Sequence, residues 1–551
     1  MLRRIRKYAD RKNRMRFIYA GYYTKEPVDK SIILFESFHG KEVSDSPLAM
    51  ARALFEMPES GNYKVYYSTN NVDRDRKTIE ALGLDIKLVH IHSDEYARLL
   101  ATAGFLINNS SFPSYFVRRE EQVYLQTWHG TPWKTLGKQM KGGVETMHNA
   151  QHNFLQASHL LFPNDFTREA IMRDYNLDEL FTGKVITHGY PRNSVFCDKA
   201  KAAEIKHRCG DDEISTIAYM PTWRGSDNKN IETEAFAEEM HDLLAGIDAA
   251  LADDQKLYVN LHPIVQSALD TSGFKHIFAF PRDIEKYEFI NSMDALMTDY
   301  SSIFFDYSVT GKPVILFTYD YEEYVSERGM YFDISELPFT RVDTDEDLKK
   351  LLKSREYLKE DYSGDERYQD RFLKYDTITA ASDLMNYLLT GDAGSMRVDD
   401  LACNKDKAWH LIDCPDVPTP EELDILSESI DPEKDLLLFH QSKFPAKNSR
   451  RFREAYTDAY EFIFTTEAAP KTYAEALSRK NKSVKAKVSA RNRRRQVGDL
   501  NIESVTRYKP LRINVTEIRT TGSKIHIGLS SPSKAGQIKD VVLEYRSNIE
   551  E

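Results

Sequence analysis

Val123-Tyr124-Leu125-Gln126-Thr127-Trp128-His129-Gly130-Thr131-Pro132-Trp133-Lys134 runs from an apolar, β-rich segment into a Gly/Pro turn that carries a histidine. Residues 123–128 predict a strand. In an open parallel sheet ligands collect beyond the carboxyl ends of the strands, so this turn places His129 at the mouth of a cleft. Four more polar clusters follow apolar runs in the same way: His188-Gly189-Tyr190-Pro191-Arg192-Asn193, Pro221-Thr222-Trp223-Arg224, Leu261-His262-Pro263 and Thr298-Asp299-Tyr300-Ser301-Ser302.

Working outward, short β-rich runs alternate with helix-compatible stretches. SIILF (31–35), KVYYS (64–68), GFLIN (104–108), HLLFP (159–163) and KVITHG (184–189) accompany the strand at 123–128. A second series follows a charged interval near 198–214: STIAYMP (215–221), KLYVNLHP (256–263), HIFAF (276–280), ALMTDYS (295–301) and PVILFTY (313–319). This is βαβ rhythm, and continuous apolar runs are what parallel strands covered on both faces require. The expected fold class is α/β, with two facing Rossmann-like domains in a GT-B-like arrangement. The boundaries read as a basic N-terminal segment at 1–29, a first domain at 30–200, a second at 201–391, and an accessory region at 392–551. That last region offers LLLFHQ (436–441), EFIFTT (461–466), a basic run, and a hairpin pattern turning at Thr521-Gly522-Ser523, and so is expected to end in a small β-rich module.

Composition limits the partners. A chain of 551 residues exceeds one core, and a net charge of -11 argues against a nucleic-acid binder. Four cysteines, Cys197, Cys209, Cys403 and Cys414, are too widely spaced for a CxxC site and predict reduced thiols in a cytoplasmic protein. No apolar run reaches the roughly 18 residues of a membrane span. Residues 1–19 nevertheless carry eight Lys/Arg against Asp10 alone, with Leu2, Ile5 and Tyr8 on one helical face, which predicts attachment to an anionic membrane surface. The second basic run, at 479–495, has nine Lys/Arg and no acid.

The strand-end clusters together resemble the CDP-glycerol glycerophosphotransferase family, enzymes of wall teichoic acid and related capsule polymer synthesis. TDYSSxxFDY stands at 298–307, HGTP at 129–132, and Ser37-Phe38-His39-Gly40 with Ser44-Asp45-Ser46-Pro47 resembles the family's SFxGxxxSDxP element. The resemblance covers residues 30–390. It implies transfer of a polyol phosphate from CDP-glycerol or CDP-ribitol to a lipid-linked or polymer acceptor hydroxyl, with release of CMP and without metal or other cofactor. Ser194 departs from it, since relatives usually carry an aspartate there, and Trp133 and Thr135 replace a leucine and a lysine.

Phosphoryl transfer to an alcohol needs a base for the hydroxyl, donors around the phosphoryl oxygens, and stabilisation of the departing phosphate. His129 titrates near neutrality and is the candidate base. His262 is the second catalytic candidate, placed to hold the pyrophosphate or protonate the leaving group, and by resemblance it contacts the donor phosphates. The serines Ser301 and Ser302 open a helix whose backbone N–H groups suit phosphate, and Thr222, Arg224, Thr298 and Arg328 complete the donor side. His39, Gly40, Asp45, Gly130 and Thr131 form the acceptor side. Each has a structural alternative: a histidine tying down a turn, serines capping a helix, arginines in surface ion pairs. The alternative functions are a nucleotide-sugar glycosyltransferase of the same fold and a non-catalytic scaffold for a capsule assembly complex.

Overall fold

The two strand series assemble into two separate parallel sheets. The computed structural model describes residues 11–140, 147–222, 231–261, 273–281, 283–414, 426–440, 461–465, 499–508, 514–521 and 524–530. The first series gives β1 (Asp29–Glu36), β2 (Lys64–Thr69), β3 (Lys87–His90), β4 (Ala103–Asn108), β5 (Val123–Gln126), β6 (His159–Phe162) and β7 (Lys184–Thr187). The second gives β8 (Ser215–Met220), β9 (Gln255–Val259), β10 (Ile277–Ala279), β11 (Ala295–Thr298), β12 (Val314–Phe317) and β13 (Thr340–Val342), ordered β10-β9-β8-β11-β12-β13. A late strand, β14 (Arg397–Asp400), joins the first sheet antiparallel to β7, giving the order β14-β7-β6-β5-β4-β1-β2-β3.

Strand order reverses at β1/β4 in the first sheet and at β8/β11 in the second. At such switch points the loops beyond the strand ends diverge and leave a crevice. The loops concerned hold His39 and Asn109 on one side, and Thr222 and Ser301-Ser302 on the other. β5 is two residues shorter than expected. Trp128 adopts φ +55, a left-handed backbone that takes it off the ladder and swings His129 out of the strand direction.

Three sequence expectations about boundaries change. Helix Arg11–Lys25 lies within the expected basic segment, yet Met15 and Tyr19 are 2% and 0% exposed and the Tyr19 hydroxyl donates to the Val117 carbonyl at 2.9 Å. Residues from Met15 on are therefore part of the first core, because their apolar face at i, i+4 spacing is covered by protein. Residues 1–10, the remainder of the membrane-surface expectation, lie outside the described residues. Helix Ala380–Thr390 follows the second sheet in sequence but packs Leu384 and Met385 with Ile33, Phe35 and Leu54 of the first half. The chain thus crosses back.

The accessory region is also more α/β than expected. β15 (Ala408–Cys414), β16 (Asp435–His440), β17 (Phe462–Thr465) and β18 (Asn501–Arg507) form a wholly parallel sheet ordered β17-β16-β15-β18. Trp409, Leu437 and Phe462 share a core with Phe154 and Leu180 of the first half. β19 (Asn514–Thr521) and β20 (Lys524–Ser530) pair antiparallel, with Thr521 opposite Lys524. The basic run at 479–495 lies outside the described residues. Among those described, no helix is long and apolar enough to cross a membrane.

Candidate functional site

His129 is oriented from behind by the loop after β4. Its Nδ1 lies 2.7 Å from the Asn109 carbonyl oxygen. A carbonyl only accepts, so Nδ1 carries the proton and Nε2 keeps its lone pair. The ring lies against Trp128, centroids 4.2 Å apart, and meets the edge of Phe38 at 5.7 Å. Burial lowers the His129 pKa below its ordinary value, partly offset by the hydrogen bond to Asn109. The imidazole is therefore neutral at neutral pH. A neutral ring with a fixed Nδ1–H and an available Nε2 is the form a general base requires.

The β1 loop is fastened to the same strand end. The Phe38 amide donates to Asn109 Oδ1 at 2.8 Å, the His39 amide to Ser110 Oγ at 3.0 Å, and His39 Nδ1 to the Ser111 carbonyl at 2.9 Å. His39 is exposed. Gly40 sits at φ +73, where a Cβ would come within 2.6 Å of the Ile91 side chain, so glycine is required by both backbone and space. The cluster Asn108-Asn109-Ser110-Ser111 obeys the strand-end rule that selects His129, and that signal was available in the sequence.

On the second sheet, Asp299 organises its neighbours. Its carboxylate accepts from the Thr222 amide at 2.9 Å, the Thr222 hydroxyl at 2.6 Å and the Tyr300 amide at 2.5 Å, joining the loops at the β8/β11 switch point. Thr298 Oγ1 donates to the Met220 carbonyl at 2.7 Å. Thr222 and Thr298 hydroxyls are thus engaged in building the loop. The helix after Ser302 is only Ile303–Tyr307, and Ser302 makes no side-chain cap. Its hydroxyl faces the first half: a Cβ on Gly130 would stand 2.9 Å from Ser302 Oγ. The structure brings His129-Gly130 and Ser302 together across the two sheets.

Other expected residues are placed differently. The Thr131 hydroxyl is buried and accepts from Asn164 Nδ2 at 3.0 Å, so it braces the turn. Arg328 is exposed at the end of helix Tyr321–Arg328, and its carbonyl accepts from Thr135 Oγ1 at 3.1 Å. Asp45 is turned inward. Its carboxylate accepts from Arg192 Nη1 at 2.5 Å and from the Tyr287 hydroxyl at 3.2 Å, while Arg192 Nη2 donates to Asp306 at 2.8 Å. Arg224 and His262 lie outside the described residues.

The segment after HGTP docks on the second half. The Trp133 indole is 1% exposed, packs on Tyr300, Phe304 and Phe332, and donates from Nε1 to the Phe332 carbonyl at 3.0 Å. The Tyr331 amide donates to the Trp133 carbonyl at 2.9 Å, and Lys134 and Met330 form an antiparallel bridge. A cavity of about 340 Å³ lies nearby, lined by Asp45, Arg52, Arg192, Glu285 and Tyr287 among others, but neither His129 nor Ser302 lines it. The candidate site is therefore marked by its polar side chains and not by this cavity. Among the described residues no cluster of His, Cys, Asp and Glu has the arrangement of a metal site.

Two parallel α/β sheets thus meet with the His129-Gly130 turn at one edge and the Ser302 hydroxyl at the other. Residues 18–390 match the family described as CDP-Glycerol:Poly(glycerophosphate) glycerophosphotransferase, and the chain belongs to that family of enzymes. A teichoic acid poly(glycerol phosphate) polymerase of Staphylococcus epidermidis is 30% identical over 66% of this chain, which spans 51% of that relative's length. A protein of the same description from Bacillus spizizenii is 27% identical over 68% of this chain and 93% of its own. The solved wall teichoic acid polymerase TagF, as a histidine-to-asparagine variant soaked with CDPG, superposes with a TM-score of 0.60 at 27% identity, covering 70% of this chain and 95% of that one.

Proposed function

We propose that this chain transfers glycerol phosphate from CDP-glycerol to an acceptor hydroxyl in teichoic acid synthesis, releasing CMP. The observation that carries the reading is the pairing of His129, neutral with Nε2 available, with Ser302 on the opposite sheet edge. The two sheets form a GT-B-like cleft in this reading. His129 removes the acceptor proton from the first domain while the Asp299-ordered loop and Ser302 hold the donor phosphates on the second, with Arg224 and His262 completing that side. His39 and Gly40 flank the acceptor. In-line attack of the acceptor oxygen on the glycerol-bearing phosphorus breaks its bond to the bridging oxygen, which leaves with CMP. Positioning and charge stabilisation are the main demands of such a loose transition state.

Glycerol is preferred to ribitol because the relatives described as glycerol-phosphate enzymes include the 30% and 29% matches, whereas those described as ribitol-phosphate polymerases match at 24–26%. The acceptor is a lipid-linked or polymer chain end, in capsule or wall synthesis. The enzyme works in the cytoplasm at the inner face of the membrane, drawn there by basic residues within 1–10. The experiment is direct: incubate the full chain with CDP-glycerol or CDP-ribitol and a glycerol-phosphate-primed acceptor, and measure CMP. Faster release from CDP-glycerol is expected. Acceptor-dependent release from neither donor overturns the reading.

A further inference from the structure

Three sequence elements that read as substrate-facing converge instead on one buried cation. Asp45 opens the helix Asp45–Glu56 that follows β1, Arg192 comes from the segment after β7, and Asp306 from the helix after β11. All three are 3–4% exposed. The guanidinium lies over the rings of Tyr190 and Tyr287, at 4.9 and 5.6 Å, and donates to one carboxylate of each half at 2.5 and 2.8 Å. Next to it, Asn193 donates to a third carboxyl, that of the half-buried Asp376, at 3.0 Å. One cation among these carboxylates gives no net attraction for phosphate. A charge buried at this cost is retained only where its partners hold it in excellent geometry.

Its position relative to the cleft is specific. A Cβ on Gly130 would stand 3.4 Å from Arg192 Nη2 and 2.9 Å from Ser302 Oγ, so the guanidinium sits directly behind the point where the two reactive edges meet. The Tyr190 hydroxyl, on the ring beneath the guanidinium, accepts from the Gly130 amide at 3.3 Å. We propose that Arg192 is a positioning residue: by bridging Asp45 and Asp306 it locks the two halves at the separation that sets His129 against the donor held near Ser302. The proposal rests on the transferase reading above. It assigns Asp45 to the lock and not to acceptor binding.

The lock predicts a split between turnover and donor binding, because the donor side belongs to the second half alone. Arg192→Lys reaches one carboxylate but not both, and Asp306→Asn keeps the shape and removes a charge. Each should retain a cooperative melt and the parent's affinity for CDP-glycerol by calorimetry, while CMP release per folded enzyme falls about ten-fold or more. Solution X-ray scattering should show a larger radius of gyration for both. A loss of donor affinity that accounts for the whole fall in turnover would make Arg192 a donor ligand and overturn the lock. Unchanged turnover in both variants would also overturn it. If the parent itself releases no CMP from CDP-glycerol, the transferase reading fails separately, and a scattering profile unaltered by either substitution then overturns the lock without reference to activity.

Discussion

The Nδ1 nitrogen of His129 is bound at 2.7 Å to the backbone carbonyl of Asn109, a residue of the loop after the neighbouring strand β4. That bond sets the tautomer, and the tautomer sets the chemistry, since it leaves Nε2 as the nitrogen with a lone pair. A side-chain partner could be lost by mutation; a backbone carbonyl cannot.

His129→Ala should lower CMP release by about 10²–10⁴-fold, the usual contribution of a general base, and leave the affinity for CDP-glycerol unchanged. In the parent enzyme, burial holds the His129 pKa below its ordinary value. The base is active when neutral, so activity should persist on acidification until pH falls through that lowered pKa. A pH profile of kcat/KM checks the sign: an acid limb centred above the ordinary histidine value of about 6.5 would contradict the assignment.

Gly130→Ala should damage turnover more than stability. Gly130 has φ +149 and its Cβ would meet Ser302 Oγ at 2.9 Å. The serine hydroxyl can rotate away, but the backbone cannot easily relax. A displacement of the two edges by about 1 Å can cost on the order of 10²-fold in rate. Turnover in Gly130→Ala equal to the parent's would show that neither the contact nor the backbone conformation matters there.

Trp133→Ala should cost about 3–5 kcal/mol in stability, as large buried aromatics do, and strand the Phe332 carbonyl. Denaturant melts measure it. Trp133→Phe fills most of the volume and loses only the hydrogen bond, for which about 0.5–1.5 kcal/mol is expected.

Glu36 ends β1 just before the His39 loop and accepts from the Tyr96 hydroxyl at 2.6 Å, Ser68 Oγ at 2.7 Å and Asn108 Nδ2 at 3.2 Å, with no cation beside it. Burial raises its pKa to about 7 from 4.5. The folded state therefore binds more protons than the unfolded state between those values, and stability falls as pH rises through that window. The loss is of order 3 kcal/mol at most, taking 1.36 kcal/mol per unit. Glu36→Gln should flatten the dependence of Tm on pH between about 5 and 7. An equally steep dependence in the variant would locate the proton elsewhere.

Much of the architecture was legible in the chain because parallel strands buried on both faces must be continuously apolar. SIILF, HLLFP and PVILFTY therefore stood out, and β1, β6 and β12 lie on them. The short edge strands β3, Lys87–His90, and β13, Thr340–Val342, did not, since one-sided burial leaves them mixed in character. β15 was missed for a related reason: in AWHLIDC His410 and Asp413 interrupt the apolar residues, although it is an inner strand of its sheet.

The sequence by itself determined that His129, Thr222 and Ser302 stand at strand ends, because strand direction and loop position follow from local pattern. It also carried the family's TDYSSxxFDY motif intact, at 298–307. Only the tertiary structure decided which polar residues face the cleft and which face one another. Asp45, Arg192 and Asp306 are separated by 147 and 114 residues in sequence yet form one buried ion group. No local rule distinguishes an arginine that binds phosphate from one that binds two aspartates. That choice depends on the charge and solvent that folding brings around it, since a guanidinium pairs with whichever anions are closest in the finished molecule.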